Sequence, residues 1–403
     1  MLPSSSTSWQ AALTAALCAF APRVDAADPE TYAARASQAI ESLNLDFYNV
    51  ETGIWDNAWW NSANVLTTIA EFAKLSRNDA NELNVGGYMR NTFNQAQKTD
   101  VKTTKSIAKN GMVSSVYCLD AGKGCMAKRE FLGKRGFQNF LNEYYDDEGW
   151  WALALIRAYD AAGDQGYLDA AVDIFKDMKT GIGTPCGGGI FWSKDRKYVN
   201  AIANELYLSV AASLANRVSE EKKRKEYLSI AKSQWQWFER SGMINENSLI
   251  NDGLDSNCKN NGLQTWSYNQ GVILGGLAEL SMATGDIQYV EKAMPIAKAA
   301  IQALQNEQGI LVETDKCELR DGNCGKDGQQ FKGVFIRNLR YLHAVAPDTE
   351  FSDFIMRNAD FIWDHDRDDG KLGASWPGPF VAHTGPSQSS ALDALVAAIA
   401  VSQ

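Results

Sequence analysis

Six segments of this 403-residue chain are apolar on nearly all sides over the length of a helix. A helix of that kind is buried on every face, so it needs a surrounding layer of other helices or strands. The six segments cover residues 57–75, 149–164, 200–217, 267–286, 332–348 and 387–402. Each begins with polar or aromatic residues and continues with small and apolar ones.

Amphipathic segments alternate with the buried ones and can supply that layer. Their apolar residues return at intervals of three and four, which is typical of a helix with one wet face. They include residues 29–49, 165–181, 220–242, 287–304 and 350–366. Inner and outer helices in alternation predict an all-α (α/α)6 barrel, a closed double ring, with few short strands in its loops. The irregular spacing of the inner segments excludes a solenoid of fixed repeat.

The amino-terminal residues 1–26 resemble a secretion signal, since an apolar stretch precedes small residues at Val24 and Ala26. No Pro/Ser-rich linker divides the remainder, so we expect residues 27–403 to form a single (α/α)6 domain. Nothing else approaches 18 consecutive apolar residues, so no membrane-spanning helix is predicted. We therefore expect a protein that is secreted or held at the cell surface.

Six cysteines follow the predicted signal, an even number that fits a disulfide framework in an oxidising compartment. Two short polar loops, "CLDAGKGC" and "CELRDGNC", each carry a cysteine at both ends. The predicted pairs are Cys118–Cys125, Cys317–Cys324 and, by elimination, Cys186–Cys258. Reduced thiols or a zinc site are the alternative, but no CxxC occurs and the three histidines all lie after residue 340. We therefore expect no metal and no other cofactor.

The net charge of -10 disfavours nucleic acid as a partner. The chain contains 12 Trp, 14 Tyr and 16 Phe, more than packing alone requires. Most of them should lie in the core, but flat aromatic faces also suit the apolar faces of sugar rings. A neutral carbohydrate ligand therefore fits the composition, and we expect the protein to be a monomer.

The stretch "EYYDDEGWW" (143–151) sets Asp146 and Asp147 between two tyrosines and two tryptophans at the start of an inner helix. Acids in that position often satisfy free N–H groups and complement the helix dipole. Capping, however, needs one acid and no aromatic shell. A retaining glycosidase needs two carboxylates about 5 Å apart, one ionised and one protonated, and unequal surroundings can separate their pKa values. The pair therefore predicts a retaining glycosidase.

The segment "YYDDEGWWALALIRAYD" resembles the signature of glycoside hydrolase family 76, the α-1,6-mannanases. Further similar segments are "GGGIFWS", "NAIANELYL", "YNQGVILGGL" and "FKGVFIRNL". Nearly the whole chain resembles the fungal branch, the cell-wall proteins called "defective in filamentous growth" and "defective cell wall". The resemblance implies the (α/α)6 fold and retention of configuration, with Asp146 as nucleophile and Asp147 as acid/base.

For the fungal branch the resemblance implies α-1,6-linked mannose as donor, in an oligosaccharide or in the mannose core of a GPI anchor. The GPI-linked protein would be transferred to cell-wall β-glucan if a sugar hydroxyl, rather than water, resolved the glycosyl-enzyme. The chain stops at Gln403 without the polar spacer of a GPI-attachment tail. We therefore expect no such tail in this chain; either it has been removed or this member is freely secreted.

Other candidate residues lie near the openings of the inner helices, inside the segments that resemble the family. Polar side chains there can bond sugar hydroxyls, or they can cap helices and satisfy buried main chain; for Arg337 the structural role is favoured. The polar candidates are Asn61, Asn204, Glu205, Tyr268, Asn269, Gln270 and Arg337. The aromatic candidates are Trp59, Trp60, Tyr145, Trp150, Trp151 and Trp192. Adjacent helical residues diverge by about 100°, so at most one of each Trp-Trp pair should face a sugar.

Two other classes of protein remain open. A non-catalytic mannan-binding lectin of the cell wall, on the same toroid, would lose little when Asp147 becomes Asn. A sugar epimerase or unsaturated-uronide hydrolase has a similar helical ring, and an epimerase of this shape is expected to use paired histidines. His343, His365 and His383 all lie late in the chain, away from Asp146, which disfavours that class.

Overall fold

The computed structural model describes residues 27–119, 136–320 and 324–403, which form an (α/α)6 barrel as the apolar segments predict. Its inner helices are α2 (Trp59–Leu75), α5 (Tyr145–Ala162), α7 (Ala201–Arg217), α9 (Ser267–Thr284), α12 (Phe331–Val345) and α14 (Gly385–Val401). Each packs against the next inner helix along the chain, and α14 packs back against α2. This last contact closes the ring.

Outer helices cover the ring. They are α1 (Pro29–Phe47), α4 (Val85–Ala96), α6 (Gln165–Met178), α8 (Glu221–Arg240), α10 (Gln288–Leu304) and α13 (Thr349–His365), with the shorter α3 (Arg77–Glu82) and α11 (Gly325–Gly328) between elements. Five of them correspond to the amphipathic segments found in the sequence. Helix α4 was not predicted, because two glycines and few apolar residues in "VGGYMRNTFNQA" weaken its pattern.

Small residues allow the inner helices to approach one another closely. A Cβ placed on Gly271 of α9 would lie 2.6 Å from the Cα of Phe335 on α12. One placed on Gly333 of α12 would lie 2.6 Å from the Cα of Ser390 on α14. Both distances are shorter than van der Waals contact, so a larger residue would push two helices apart. The packing of the ring therefore requires the small residues of the apolar segments.

Three antiparallel hairpins lie in the loops. They pair β1 (Tyr48–Asn49) with β2 (Ile54–Trp55), β3 (Val101–Ile107) with β4 (Val113–Leu119), and β5 (Arg367–Asp368) with β6 (Lys371–Leu372). Two are as short as expected, but β3 and β4 have 7 residues each. The main-chain N–H of Thr103 on β3 donates to Glu143, just before α5, and that of Ser115 on β4 donates to Asp327 of α11. The β3–β4 hairpin therefore reaches from the start of α5 to the segment before α12.

Two disulfides join cysteines within the described residues, and both are predicted pairs: Cys186–Cys258 and Cys317–Cys324. Cys118 is also disulfide-bonded. Its predicted partner Cys125 lies outside the described residues, as does the predicted signal over residues 1–26. None of the described helices has the length and apolar character needed to cross a membrane.

Candidate active site

Asp146 and Asp147 lie in the first turn of α5, at the end of the barrel where the inner helices begin. The N-cap residue is Tyr144, and no side chain caps this helix. Oδ1 of Asp146 accepts the main-chain N–H of Asp147 at 3.0 Å. The other contacts of the two carboxylates come from side chains on different elements, so capping does not explain why both acids are present.

Lys105, on strand β3, bridges the two carboxylates. Its Nζ lies 3.0 Å from Oδ2 of Asp146 and 2.6 Å from Oδ1 of Asp147, and its side chain is 2% exposed. Burial opposes the charge of this ammonium group, but the neighbouring carboxylates outweigh burial and raise the pKa of Lys105. The lysine is therefore charged in this position, and it stands directly over the acid pair.

The two aspartates have different surroundings. Asp146 is 6% exposed, and its Oδ2 accepts the indole N–H of Trp192 at 2.9 Å. Asp147 is fully buried, and its Oδ2 accepts from Nδ2 of Asn142 at 2.5 Å and from the hydroxyl of Tyr117 at 3.4 Å. Burial is the largest influence on Asp147 and raises its pKa to about 7, although the bridging ammonium acts in the opposite direction. The surroundings therefore favour a proton on Asp147.

The contacts with Lys105 set an upper limit on the distance between the two carboxylates. The oxygens that contact Lys105 both lie within 3.0 Å of one nitrogen, so they are less than twice that distance apart. Retaining glycosidases hold their two carboxyl groups at about 5–5.5 Å, whereas inverting ones leave roughly 6.5–9.5 Å for a water molecule. The upper bound for Asp146 and Asp147 lies below the inverting range.

Two more buried carboxylates belong to this cluster. Asp327 accepts the indole N–H of Trp60 at 2.6 Å, and burial raises its pKa. Asp252, in the loop before α9, accepts the hydroxyl of Tyr198 at 2.5 Å. Burial is the main cause that raises the pKa of Asp252 to about 6, and the negative charge of Asp146 adds to it. The cluster thus gathers carboxyl groups with raised pKa values at one end of the barrel.

Three of the predicted polar residues are buried, and their side chains make no hydrogen bond within the described part of the chain: Asn61, Glu205 and Asn269. They lie near the starts of α2, α7 and α9, at the same end of the barrel as the acid pair. Burial raises the pKa of Glu205 well above its usual range. A buried polar group without a partner costs about 1–3 kcal/mol, which hydroxyl groups of a ligand can recover.

Other predicted polar residues are already satisfied by the protein. Asn204 bonds the N–H and C=O of Ile190 at 2.8 and 3.0 Å, and Gln270 bonds those of Ile250 at 2.8 Å each. Arg337 forms an ion pair of 2.8 Å with a carboxylate of α14 inside the ring. These three side chains position loops and helices around the site.

The predicted aromatic residues form stacked layers around the acid pair. Trp60 stacks on Trp150 with ring centroids 5.5 Å apart, and Tyr268 stacks on Phe331 at 4.0 Å. Trp192 reaches the pair itself through its bond to Asp146. Flat rings at this end of the barrel provide surfaces on which sugar rings can pack.

The remaining aromatic candidates, Trp59, Trp151 and Tyr145, make contacts other than these stacks. Trp59 and Trp151 are fully buried and contact each other with centroids 4.9 Å apart. In the first Trp-Trp pair, Trp60 joins the stack with Trp150 and Trp59 makes the inner contact. In the second pair, Trp150 joins the stack and Trp151 makes the inner contact. The hydroxyl of Tyr145 bonds that of Thr180 at 2.9 Å, so this side chain supports the loop after α6.

A groove runs between the two loops that the Cys186–Cys258 disulfide joins. Its apolar and aromatic lining includes Ile107, Phe191, Tyr198, Leu254 and Leu263. Since Tyr198 also bonds Asp252, the groove reaches the carboxylate cluster.

One group of residues within the described chain has the spacing of a metal site: Cys317, Glu318 and Cys324. Both sulfurs belong to the Cys317–Cys324 disulfide. A disulfide sulfur is not a thiolate, which is the form of cysteine that binds metals.

Sequence reasoning missed Lys105, Asn142, Asp252 and Asp327. One signal for the hairpin was present, because Asn110-Gly111 separates two stretches rich in β-branched residues, a pattern typical of a β-hairpin. No local pattern shows that this hairpin reaches α5, 40 residues further along the chain. The position of Lys105 over the acid pair follows from tertiary structure alone.

Two carboxylates that lie side by side are the groups a glycoside hydrolase uses, and the site offers such a pair among stacked aromatic rings. The model of the family "Glycosyl hydrolase family 76" matches residues 31–402. The chain therefore belongs to glycosyl hydrolase family 76.

The chain is also similar to fungal mannosidases over part of its length. Mannan endo-1,6-alpha-mannosidase DCW1 of Candida albicans is 26% identical over 221 residues, which cover 51% of this chain and 48% of that protein. A putative mannan endo-1,6-alpha-mannosidase of Schizosaccharomyces pombe is 28% identical over 219 residues, with coverage of 51% and 48%. The chain spans about half the length of the curated relatives it matches.

Solved structures share the fold over most of the chain. The α-1,6-mannanase of Salegentibacter sp. HEL1_6 has a TM-score of 0.71 at 20% identity, covering 92% of this chain and 99% of that one. Dfg5 from Chaetomium thermophilum, solved with glucosamine, has a TM-score of 0.72 at 18% identity, covering 92% and 90%. At these identities the likeness establishes the (α/α)6 barrel.

Proposed function

We propose that this protein is a retaining endo-α-1,6-mannosidase in which Asp146 is the nucleophile and Asp147 the acid/base. The observation that carries the proposal is the unequal environment of the pair. Full burial and a pKa of about 7 leave a proton on Asp147 in about half of the molecules at neutral pH and in most of them below it. Asp146 accepts N–H donors from Trp192 and from the main chain.

The mechanism is a double displacement. The carboxylate of Asp146 attacks the anomeric carbon of a mannose residue, while Asp147 transfers its proton to the departing O6 of the next sugar. The product of this step is a glycosyl ester on Asp146. Asp147, now ionised, accepts a proton from water or from a sugar hydroxyl, whose oxygen attacks the anomeric carbon and releases Asp146.

The unpartnered polar residues Asn61, Glu205 and Asn269, together with Asp252, are proposed to bond the hydroxyls of the reacting mannose. The aromatic rings of Trp60 and Trp192 are proposed to pack against the sugar. The name of the Candida albicans relative supports mannan as substrate. A solved variant of the Salegentibacter mannanase also supports it, because that inactive variant has two consecutive aspartates replaced by asparagine and binds α-1,6-mannotriose.

The test is the anomeric configuration of the first product. The protein is mixed with α-1,6-mannotetraose and the reducing ends are followed by proton NMR, so that early signals report the configuration before mutarotation. We expect the α anomer to appear first. Early β anomer would overturn retention. Binding without any turnover would instead favour the mannan-binding lectin.

We further propose that the natural donor is the mannose core of a GPI anchor and that cell-wall β-glucan is the acceptor. The glycosyl-enzyme permits transfer whenever a sugar hydroxyl replaces water. The groove lined by Phe191 and Tyr198, which reaches Asp252 of the carboxylate cluster, is the proposed acceptor surface. Disulfide bonding and the predicted signal support a secreted or cell-surface location.

Transfer is tested with α-1,6-mannotetraose as donor and a fluorescent β-1,3-glucan oligosaccharide as acceptor. We expect labelled products enlarged by mannose units. Phe191→Ala should lower the ratio of transfer to hydrolysis several-fold, because it removes groove surface without touching the acids. Hydrolysis with no labelled product at any acceptor concentration would overturn the proposed acceptor.

A further inference from the structure

Every oxygen of the acid pair already has a partner. In Asp146, Oδ1 accepts a main-chain N–H and Oδ2 accepts from Trp192 and Lys105. In Asp147, Oδ2 accepts from Asn142, while Oδ1 contacts Lys105 at 2.6 Å. An acid/base must point one oxygen at the glycosidic oxygen, and Oδ1 is the oxygen of Asp147 that the lysine covers.

The charge of Lys105 also opposes the reaction. The transition state of glycoside cleavage resembles an oxocarbenium ion, with positive charge at the anomeric carbon. That carbon must approach Asp146, whose Oδ2 lies 3.0 Å from the ammonium nitrogen. Two positive charges that close together, in a site shielded from water, repel strongly. The reacting complex therefore requires Lys105 to leave.

Lys105 lies on a hairpin that is fastened on both sides of the site, so the hairpin and the lysine can move together. The main-chain N–H of Lys105 donates to the hydroxyl of Tyr144 at 3.1 Å. On the partner strand, the N–H of Ser115 donates to Asp327 at 2.6 Å. Near the tip, Nδ2 of Asn110 lies 3.3 Å from a carboxylate oxygen of Asp315. Further contacts hold the base of the hairpin, among them the N–H of Thr103 to Glu143 and the hydroxyl of Tyr117 to Asp147. Opening the hairpin must break these contacts together with those of Lys105.

We propose that the β3–β4 hairpin is a lid over the acid pair and that Lys105 is its latch, held by the carboxylates until a sugar displaces it. The proposal rests on the proposed function for the identity of the displacing ligand. A mannoside that binds the open form competes with a buried ion pair. The measured affinity is then the intrinsic affinity multiplied by the fraction of molecules whose lid is open.

The first experiment removes the latch. Lys105→Met keeps the length of the side chain and removes its charge; Lys109→Met, at an exposed position of the same hairpin, is the matched control. Binding of α-1,6-mannotriose is measured by calorimetry. We expect Kd to fall at least about fivefold in Lys105→Met, since the open fraction rises, and to stay unchanged in Lys109→Met. An equal or higher Kd in Lys105→Met would overturn the latch.

The second experiment holds the lid shut. Cysteines replace Asn110 and Asp315, and a short thiol-reactive crosslinker joins them. We expect the crosslinked chain to bind α-1,6-mannotriose at least about tenfold more weakly than the same double variant before crosslinking. Undiminished binding after complete crosslinking would show that the sugar reaches the acids without movement of the hairpin, and the lid would be wrong.

A third readout needs no sugar. Hydrogen exchange of the main-chain amides of β3 and β4 reports opening of the hairpin directly. We expect faster exchange in Lys105→Met than in Lys109→Met. If none of the chains binds α-1,6-mannotriose, the proposed function fails, and exchange alone decides the lid: equal rates in the two variants would overturn it.

Discussion

Both ends of the barrel bury acidic side chains, but only one end pairs them with an equal supply of arginines. Where the inner helices end, Glu71 and Glu279 contact three arginines, Arg157, Arg217 and Arg340. Burial opposes the ionisation of the two glutamates, yet the arginines lower the pKa of each to about 2. Carboxylates and cations are matched at this end, which is typical of a structural network.

Where the inner helices begin, burial instead raises the pKa of Asp147, Glu205, Asp252 and Asp327. Buried acids that ionise with difficulty destabilise a folded protein above their unfolded pKa values. Such groups are characteristic of functional sites, where a perturbed pKa serves chemistry. One end of the barrel thus has the character of a structural network, and the other is the end where we propose that the reaction takes place.

The largest expected effect is the loss of turnover in Asp146→Asn and Asp147→Asn. Each substitution removes one group of the double displacement, and we expect cleavage of α-1,6-mannotetraose to fall at least about 10³-fold. The melting temperature should change little. Asp169→Asn, at an exposed position of α6, is the control and should retain full activity. Substantial turnover in either of the first two variants would remove the mechanism.

For Arg217→Met, where the inner helices end, we expect a loss of stability with little loss of activity. Its guanidinium bonds both Asp160 and Glu279, and breaking a buried ion pair costs about 3–5 kcal/mol. Urea unfolding should show this loss, while the activity of the folded fraction stays near the original value. Arg224→Met, on an exposed face of α8, is the control. A stable but inactive Arg217→Met protein would contradict the division between the two ends.

A smaller loss of stability is expected when the Cys186–Cys258 disulfide is removed by serine substitution at both positions. The bridge closes a loop of 72 residues, and removal of a native disulfide costs about 2–5 kcal/mol. The KM for α-1,6-mannotetraose should also rise, because the joined loops carry Trp192 and Asp252. Unchanged stability and unchanged KM together would show that the bridge supports neither fold nor site.

The smallest effect is the dependence of stability on pH, which should differ in sign between the ends. Glu71 and Glu279 have folded pKa values of about 2, below the unfolded value of about 4.3, so their contribution is present above about pH 4 and is lost as pH falls. Asp147, with a folded pKa of about 7, binds its proton more tightly when folded. Its ionisation therefore destabilises the fold as pH rises from about 4 to 7.

Urea unfolding at several pH values checks this prediction. We expect the part of the decline between pH 5 and 8 that is due to Asp147 to be about 2–3 kcal/mol, and the total decline to be smaller by that amount in Asp147→Asn. A profile that is identical in Asp147→Asn would mean that Asp147 is ionised throughout this range.

The sequence predicts the ring well because a helix that is apolar all round permits few environments. It also predicts the acid pair, since adjacent Asp146 and Asp147 among aromatics are a local pattern. It does not predict which polar side chains are satisfied: Asn204 and Asn269 look alike in sequence, yet one bonds a neighbouring loop and the other has no partner among the described residues. The sequence does not predict the position of Lys105 either, because contacts between distant loops leave no periodic signal.

The protonation of Asp147 is the central claim, and infrared spectroscopy measures it directly. The pH-dependent difference between the unaltered chain and Asp147→Asn isolates the carbonyl band of one protonated carboxyl group from those of other buried acids. We expect that band to be present at pH 5.5 and to disappear with a midpoint near pH 7. Absence of the band throughout the range above pH 5 would show two ionised aspartates side by side, and neither would then hold the proton that cleavage requires.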